Sequence, residues 1–490
     1  MELSFLTISE AKTLLSRREI SAGELCADCL RQIERLTPTL NAFITVFRPA
    51  CPPARTHLHL QQVQVSGRCG GPGQGARLRT ERSRSPQRQS KGELAGIPIA
   101  VKDMFEVEGI LTTGGSKIFS DYVPRQDAHV ISKLKAAGAA IIGKTNMHEI
   151  ALGVTGANPH YGACRNPWDV TRITGGSSSG SAAAVAAGMC LGALGTDTGG
   201  SIRIPAALCG VVGMKPTYGR VSLRGVIPLS WNLDHAGPMA RTVRDVALLL
   251  QVIAGYDPLD PACVNLPVDN YLETIDQGVQ GWRVALADGE YSADSDVEVL
   301  AAVEDAAKVF EQSGAVVTKA DVSFLGEASL ANGLMVQADA AAYHRQRLAE
   351  HPDWFGEDVR QRLQTGAAYS SMEYALARRT QVEMRRELEH FFADYDILLT
   401  PTTSIPAPPV EGTDAVEQAR RLTRFTAPFN LTGLPALSLP CGFTSGGLPI
   451  GLQIIGRAWG EARVLQAGHS YEQATEWHTR HPVLCVAPTR

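Results

Sequence analysis

The chain is poor in several things that would narrow its function at once. Aromatic residues make up 6% of its 490 positions. The formal net charge is only −4, so no global field draws it to nucleic acid or to an anionic membrane. No run of about 18 apolar residues exists to span a bilayer. The opening Met1-Glu2-Leu3-Ser4 has no basic stretch, so no secretory signal is expected. The Walker signature is absent, which removes the usual lysine of a nucleotide loop. The twelve histidines fall in no short catalytic or metal-ligating motif, and no metal or other cofactor is expected. Ten cysteines are scattered, at 26, 29, 51, 69, 164, 190, 209, 263, 441 and 485. Cys26 and Cys29 form a C-x-x-C without a second pair at zinc spacing. Reduced thiols and a cytoplasmic location are expected.

What is present is an apolar content of 44% with 20% charged residues, enough for a large core. The length allows two or three domains, or one large α/β domain with insertions. Residues 7–48 read as two helices, the second opened by a capping box at Ser21 and Glu24. From about 94 the pattern becomes α/β. Strands are expected at Ile97 to Val101, Ala139 to Gly143, Leu191 to Gly195 and Val211 to Met214. A strongly apolar helix follows at Arg241 to Ala254. Residues 292–395 read as mostly helical, flanked or interrupted by strands near 282–287 and 315–319. Strands return at Ile397 to Thr400 and Gly451 to Ile455, and 459–476 closes the chain as a helix. Residues 66–92 carry six arginines and Lys91 against Glu81 alone. Rich in Gly, Ser, Gln and Pro, they predict a basic flexible loop or insertion. Nothing aromatic is interleaved to suggest contact with bases.

Two glycine turns bear serines: Gly175-Gly176-Ser177-Ser178-Ser179-Gly180-Ser181 and Thr198-Gly199-Gly200-Ser201-Ile202-Arg203. Glycine lets backbone amides approach a ligand closely. A serine hydroxyl there can attack a carbonyl while the amides of Thr198, Gly199, Gly200 and Ser201 hold the oxyanion. A tight, Ser201-capped turn with no chemistry is the plainer alternative. Lys102 ends the apolar strand Gly96 to Val101, an unusual place for a charge. A lysine near its ordinary value of about 10.4 is a poor base at pH 7. Burial lowers that value. Pairing with Asp103 or another carboxylate is the structural alternative.

Taken together, Gly96-Ile-Pro-Ile-Ala-Val-Lys-Asp103, the two serine turns, Gly143-Lys-Thr-Asn146, Arg165-Asn-Pro-Trp168, Gly213-Met-Lys-Pro-Thr217 and Gly447 to Gly456 resemble the amidase signature family. The resemblance covers most of 1–48, 93–258 and 396–476. It implies an α/β amidase signature fold, a central mixed twisted β-sheet covered by helices on both faces. It also implies one amidase domain over 1–490, with an N-terminal helical segment (1–48), a catalytic core (93–258 and 396–476) and a mostly helical variable region (259–395). The implied triad is Ser201 as nucleophile, Ser177 as bridging serine with a cis peptide bond, and Lys102 as base. Ser178, Asp197 and Arg203 would support them. Ser179 stands where glycine is commoner in the family.

Members of the family include the glutaminase subunit of tRNA-dependent amidotransferases. Those carry an aspartate shortly before a Thr-x-Pro-x-Asn-Leu run. Here Thr426-Ala-Pro-Phe-Asn-Leu431 aligns, but Thr423 stands at the acidic position. That substitution favours a free-standing amidase. Met104, Phe105, Ala151, Leu152, Gly153, Trp231, Met335 and Phe429 are candidate pocket walls, and each could equally be core. Such a wall suits aryl or alkyl amides, and also esters, anilides or carbamates (a urethanase). The expected partner is then a small amide or carbamate substrate, without nucleic acid or membrane, in a chain that could pair as a homodimer. Two other readings compete. Gly176-Ser-Ser-Ser-Gly180 also satisfies the α/β-hydrolase elbow, with Ser178 as nucleophile and a late histidine such as His469. The glycine turns could instead form an anion-binding scaffold without catalysis.

Overall fold

The computed structural model describes residues 3–48, 61–64, 92–411 and 415–484. Twelve strands lie among them: β1 (Phe43–Arg48), β2 (Gln61–Gln64), β3 (Pro98–Lys102), β4 (Ala140–Thr145), β5 (Gly192–Asp197) and β6 (Val212–Lys215), then β7 (His235–Ala240), β8 (Arg283–Asp288), β9 (Val316–Asp321), β10 (Ile397–Pro401), β11 (Ala436–Phe443) and β12 (Pro449–Ile455). They form one mixed sheet in the order β2-β1-β4-β3-β5-β7-β6-β11-β12-β10-β8-β9. β3 runs parallel to both β4 and β5, and β5 antiparallel to β7. Residues 66–91, most of the expected basic loop, lie outside the described residues.

Helices cover both faces, and glycines on one strand show it. A side chain at Gly192 would point at Leu249 of helix Val243–Ile253. One at Gly195 would point at Ser178 and Ile202. The two positions are three apart, so in a strand they face opposite ways. The first face is closed by the apolar helix 243–253. The second is closed by the short helices Ser179–Ala186 and Arg203–Cys209, which carry the serine turns at their N-termini.

The N-terminal segment is only partly helical. Helices Ile8–Ser16 and Ala22–Leu40 form as expected, the second with the Ser21–Glu24 capping box. The helix then stops at Asn41, whose φ of 51° is left-handed, a common helix end. Phe43 to Phe47 is an unbroken run of aromatic and β-branched residues and becomes β1. Two core strands carry little strand signal. β7 reads His-Ala-Gly-Pro-Met-Ala. Its Pro238 lies opposite Leu194 of β5, beyond the short stretch that pairs with β6. A proline there removes no bond from the second ladder. β11 carries Pro440, where its register against β12 shifts.

Candidate active site

The parallel pairing of β3 and β5 sets Val101 beside Leu194. Lys102 therefore ends its strand next to the end of β5, where Thr196 and Asp197 precede the turn that bears Ser201. Ligands in α/β sheets gather at such carboxyl ends. Lys102 is fully buried, and its Nζ lies 2.7 Å from Ser177 Oγ and 2.7 Å from Thr196 Oγ1. Burial pulls its pKa down to about 7, against the opposing pull of Asp197 and Asp234. A neutral amine that accepts a proton is thus available near neutrality.

The two serine turns meet directly. The Ser178 amide donates to Ser201 O at 3.1 Å. The Gly176–Ser177 peptide bond is cis. Ser177 is fully buried, and Ser201 keeps 4% exposure. Ser178 Oγ donates to Thr196 O at 3.1 Å and accepts from the Thr196 amide at 3.2 Å. It is thereby spent on holding the first turn to β5. This close approach requires Gly195, since a Cβ there would lie 2.7 Å from Ser178 Oγ. Ser179 is buried, its Oγ 3.5 Å from Ser177 O.

Asp197 organises the second turn. Its carboxylate accepts from the amides of Gly200 (2.7 Å) and Ile202 (3.1 Å) and from Arg203 Nε and Nη2 (3.0 and 2.9 Å). Arg203 also reaches Gln453 Oε1 and Asn430 Oδ1, each at 2.6 Å. Burial pushes the Asp197 pKa up, but the Arg203 guanidinium, with Lys215 and the Asn430 amide, overrides it and holds the carboxyl below the usual range. These contacts correct one expectation. The Gly200 amide serves Asp197 and is not free for an oxyanion. The amides of Thr198, Gly199 and Ser201 carry no hydrogen bond to the described residues. These three remain available on one turn.

Several contributors gave little sequence signal. Thr196 supplies the second oxygen on Lys102. Asp234, buried in the turn before β7, accepts from Thr198 Oγ1 at 2.6 Å. Burial raises its pKa to about 6. Asn332 Nδ2, from helix Leu325–Glu350, donates to Thr198 O at 3.2 Å. Thr426 Oγ1 donates to Gly199 O at 2.7 Å. An isolated acid or amide in a long insertion has no period or motif to mark it.

The expected pocket walls do not form one surface. Met104, Ala151 and Leu152 share an apolar cluster with Ile118, Phe119 and Phe355. Met104 Sδ lies 3.7 Å from Thr196 Oγ1, one contact from Lys102. Phe105 is instead fully buried in the main core. Met335 and Phe429 are fully buried in a third cluster. Side chains with no accessible surface wall no open cavity, so these three are core. Gly153 packs against the His148 ring. Trp231 is 50% exposed, edge-on to Tyr343 at 6.1 Å. His469 is bound up with Asp276 and Arg244, and Ser178 is engaged as above, so the elbow geometry is not assembled. Among the described residues, no group of three or more His, Cys, Asp or Glu is placed to hold a metal. No helix of the described residues is long and apolar enough to cross a membrane.

A family model described as "Amidase" matches residues 74–465. The A subunit of glutamyl-tRNA(Gln) amidotransferase from Moorella thermoacetica is 39% identical over 99% of this chain and 100% of that protein. The protein of the same name from Roseiflexus sp. (strain RS-1) is 38% identical over 98% of this chain and 99% of its own length. Among solved structures, the A subunit of glutamyl-tRNA(Gln) amidotransferase from Thermotoga maritima superposes with a TM-score of 0.80 at 35% identity, covering 96% of this chain and 95% of that one. These likenesses overturn the preference for a free-standing amidase, and with it the expectation of a small-molecule partner alone, without nucleic acid. That preference rested on Thr423. Its hydroxyl folds back onto Ala419 O of its own helix at 2.8 Å. The residue of this stretch that reaches the Ser201 turn is Thr426.

Proposed function

Because the chain belongs to the amidase family, we propose that it is the amide-hydrolysing A subunit of a glutamyl-tRNA(Gln) amidotransferase. In this reading Ser201 Oγ attacks the side-chain amide carbon of glutamine. Its proton passes to Ser177 Oγ, and the Ser177 proton passes to neutral Lys102 Nζ. The oxyanion is held by the amides of Thr198, Gly199 and Ser201. The relay then runs backward, protonates the leaving nitrogen and releases ammonia. Water hydrolyses the acyl-enzyme, and the ammonia is passed to the partner subunits that amidate glutamyl-tRNA(Gln). Its place would be the cytoplasm.

The observation that carries this reading is the similarity to amidotransferase A subunits at 37–39% identity over nearly the whole chain. The short Lys102–Ser177 contact supports the chemistry assigned to it. The test is reconstitution. The chain, mixed with the remaining subunits of such an amidotransferase, should convert glutamyl-tRNA(Gln) to glutaminyl-tRNA(Gln) with glutamine as nitrogen donor. Ser201→Ala should abolish glutamine use and leave free ammonia usable. A chain that turned over anilides or carbamates but never glutamine, alone or with those subunits, would overturn the assignment.

A further inference from the structure

We propose that Asp234 is a positioning residue of this site, whose carboxylate is the counter-charge for the ammonium that Lys102 becomes while Ser201 is acylated. The proposal rests on the relay reading above. It begins from an anomaly. Asp234 is buried, and every donor on it is neutral: Thr198 Oγ1 at 2.6 Å, the Leu229 amide at 2.8 Å and the Ser230 amide at 3.1 Å. It forms no ion pair with a described residue. A buried carboxylate without a cation is costly. The other buried acids around the site are differently served. Asp197 has Arg203, and Asp103 has Lys144 at 2.8 Å.

Lys102 Nζ donates to Thr196 Oγ1 at 2.7 Å, and Asp234 accepts from Thr198 Oγ1 at 2.6 Å two residues further on, so the two charges flank the same end of β5 and each acts on the other, with Asp197 the second carboxylate acting on Lys102. Asp197 already faces Arg203 and Lys215. Its charge is largely answered, which leaves Asp234 as the carboxylate with charge to spare. The remaining groups on Lys102 are the hydroxyls of Ser177 and Thr196. On its far side Asp234 faces Tyr218, whose phenol it helps to keep protonated. Beyond the turn, Ser230 Oγ donates to Asp339 Oδ2 at 2.6 Å, tying it to helix 325–350. The arrangement parallels the acid of a serine–histidine–aspartate triad. That acid stabilises the protonated base and takes no proton itself. Here one proton moves from Ser201 to Ser177 and one from Ser177 to Lys102, and Asp234, ionised above about pH 6, takes neither. Through Thr198 the same carboxylate also fixes the turn that carries the oxyanion amides.

The test is the pH dependence, from pH 5 to 9, of covalent modification of Ser201 by a fluorophosphonate probe, followed by intact-protein mass on the full chain. Asp234→Asn removes the charge, so the acid limb should move to lower pH by about one unit and the alkaline plateau should fall. Asp234→Ser, equally neutral and smaller, should show the same displacement if the asparagine variant fails to fold. Thr198→Val keeps the carboxyl but removes the hydrogen bond that favours its ionised form, so it should lower the plateau and move the limb less than Asp234→Asn does. A limb that stays in place in a folded neutral variant overturns the proposal, as does one that moves equally in Thr198→Val. Lys102→Ala separates failure of the relay from failure of the counter-charge. If it labels as fast as the parent, the relay itself fails. If it is inert while Asp234→Asn keeps the parental limb, only the role of Asp234 fails.

Discussion

Raising the pH from 6 to 8 should raise the rate of Ser201 acylation about tenfold. The dependence runs through the neutral fraction of Lys102. Burial brings its pKa to about 7, and the relay needs the unprotonated amine. About a tenth of the molecules then carry neutral Lys102 at pH 6, half at pH 7 and nine tenths at pH 8. A lysine at the ordinary value of about 10.4 would be neutral in only about one molecule in 2,500 at pH 7. The closed environment at the end of β3 thus increases the active fraction roughly a thousandfold. The sign is fixed by the direction of transfer: protonation removes the acceptor, so activity is lost as the pH falls through 7. The perturbation that isolates this is Lys102→Arg, which keeps a cation and several N–H donors but cannot deprotonate. General-base contributions are typically about 10²- to 10⁴-fold, and the loss should fall in that range at every pH up to 9. The assay is the second-order rate of probe labelling at Ser201 beside initial-rate glutamine hydrolysis in the reconstituted complex. A flat profile between pH 6 and 8, a maximum below pH 6, or an arginine variant within tenfold of the parent would refute the reasoning.

Three further outcomes are expected. Arg203→Met strips the buried Asp197 carboxylate of its guanidinium and should cost about 3–5 kcal/mol of stability, read as a lower urea midpoint; an unchanged midpoint would mean the pair is not the support described. Gly195→Ala sets a Cβ 2.7 Å from Ser178 Oγ and should cost about 1–3 kcal/mol by overpacking, with Ser201 labelling falling further than stability accounts for. Full labelling in that variant would remove Ser178 from its supporting part. Dialysis against EDTA should leave labelling unchanged, and a loss that zinc reverses would contradict a mechanism built on hydroxyls and an amine.

The strands that bear the chemistry were legible, and others were not, for a common reason. β3, β4 and β5 are buried on both faces, so they read as short apolar runs bounded by glycine. β7 and β11 are as buried as these, but each contains proline and small residues that local propensity scores against strand. What admits them is tertiary: a Pro238 facing the unpaired side of one ladder, and a register shift at Pro440. β1 was lost differently. Its aromatic and β-branched run follows so closely on helix 22–40 that only the left-handed Asn41 and Ala42 separate them.

The site divides along similar lines, and the division says what kind of function a sequence can state. Glycine–serine turns and a strand-ending lysine announce reaction chemistry because each is locally improbable. Ser201 and Lys102 therefore stood out before any packing was considered, and the family resemblance singled out Ser177. Which amides face the oxyanion was not local. Asp197 takes the Gly200 amide for itself, and only the folded turn shows which donor is spent. Specificity was less local still. Apolar side chains proposed as walls split among three clusters, because nothing in Phe105, Met335 or Phe429 distinguishes a wall from a core. Thr423 misled for the same reason in reverse. A missing acid was taken as a missing ligand grip, but the hydroxyl at that position turns back into its own helix, and the stretch contacts the nucleophile loop through Thr426 instead. The surroundings of the site are written in long-range contacts such as Asn332 to Thr198 and Asp339 to Ser230. Those join the helical insertion to the catalytic turns across more than a hundred residues of chain, a distance at which no spacing rule operates.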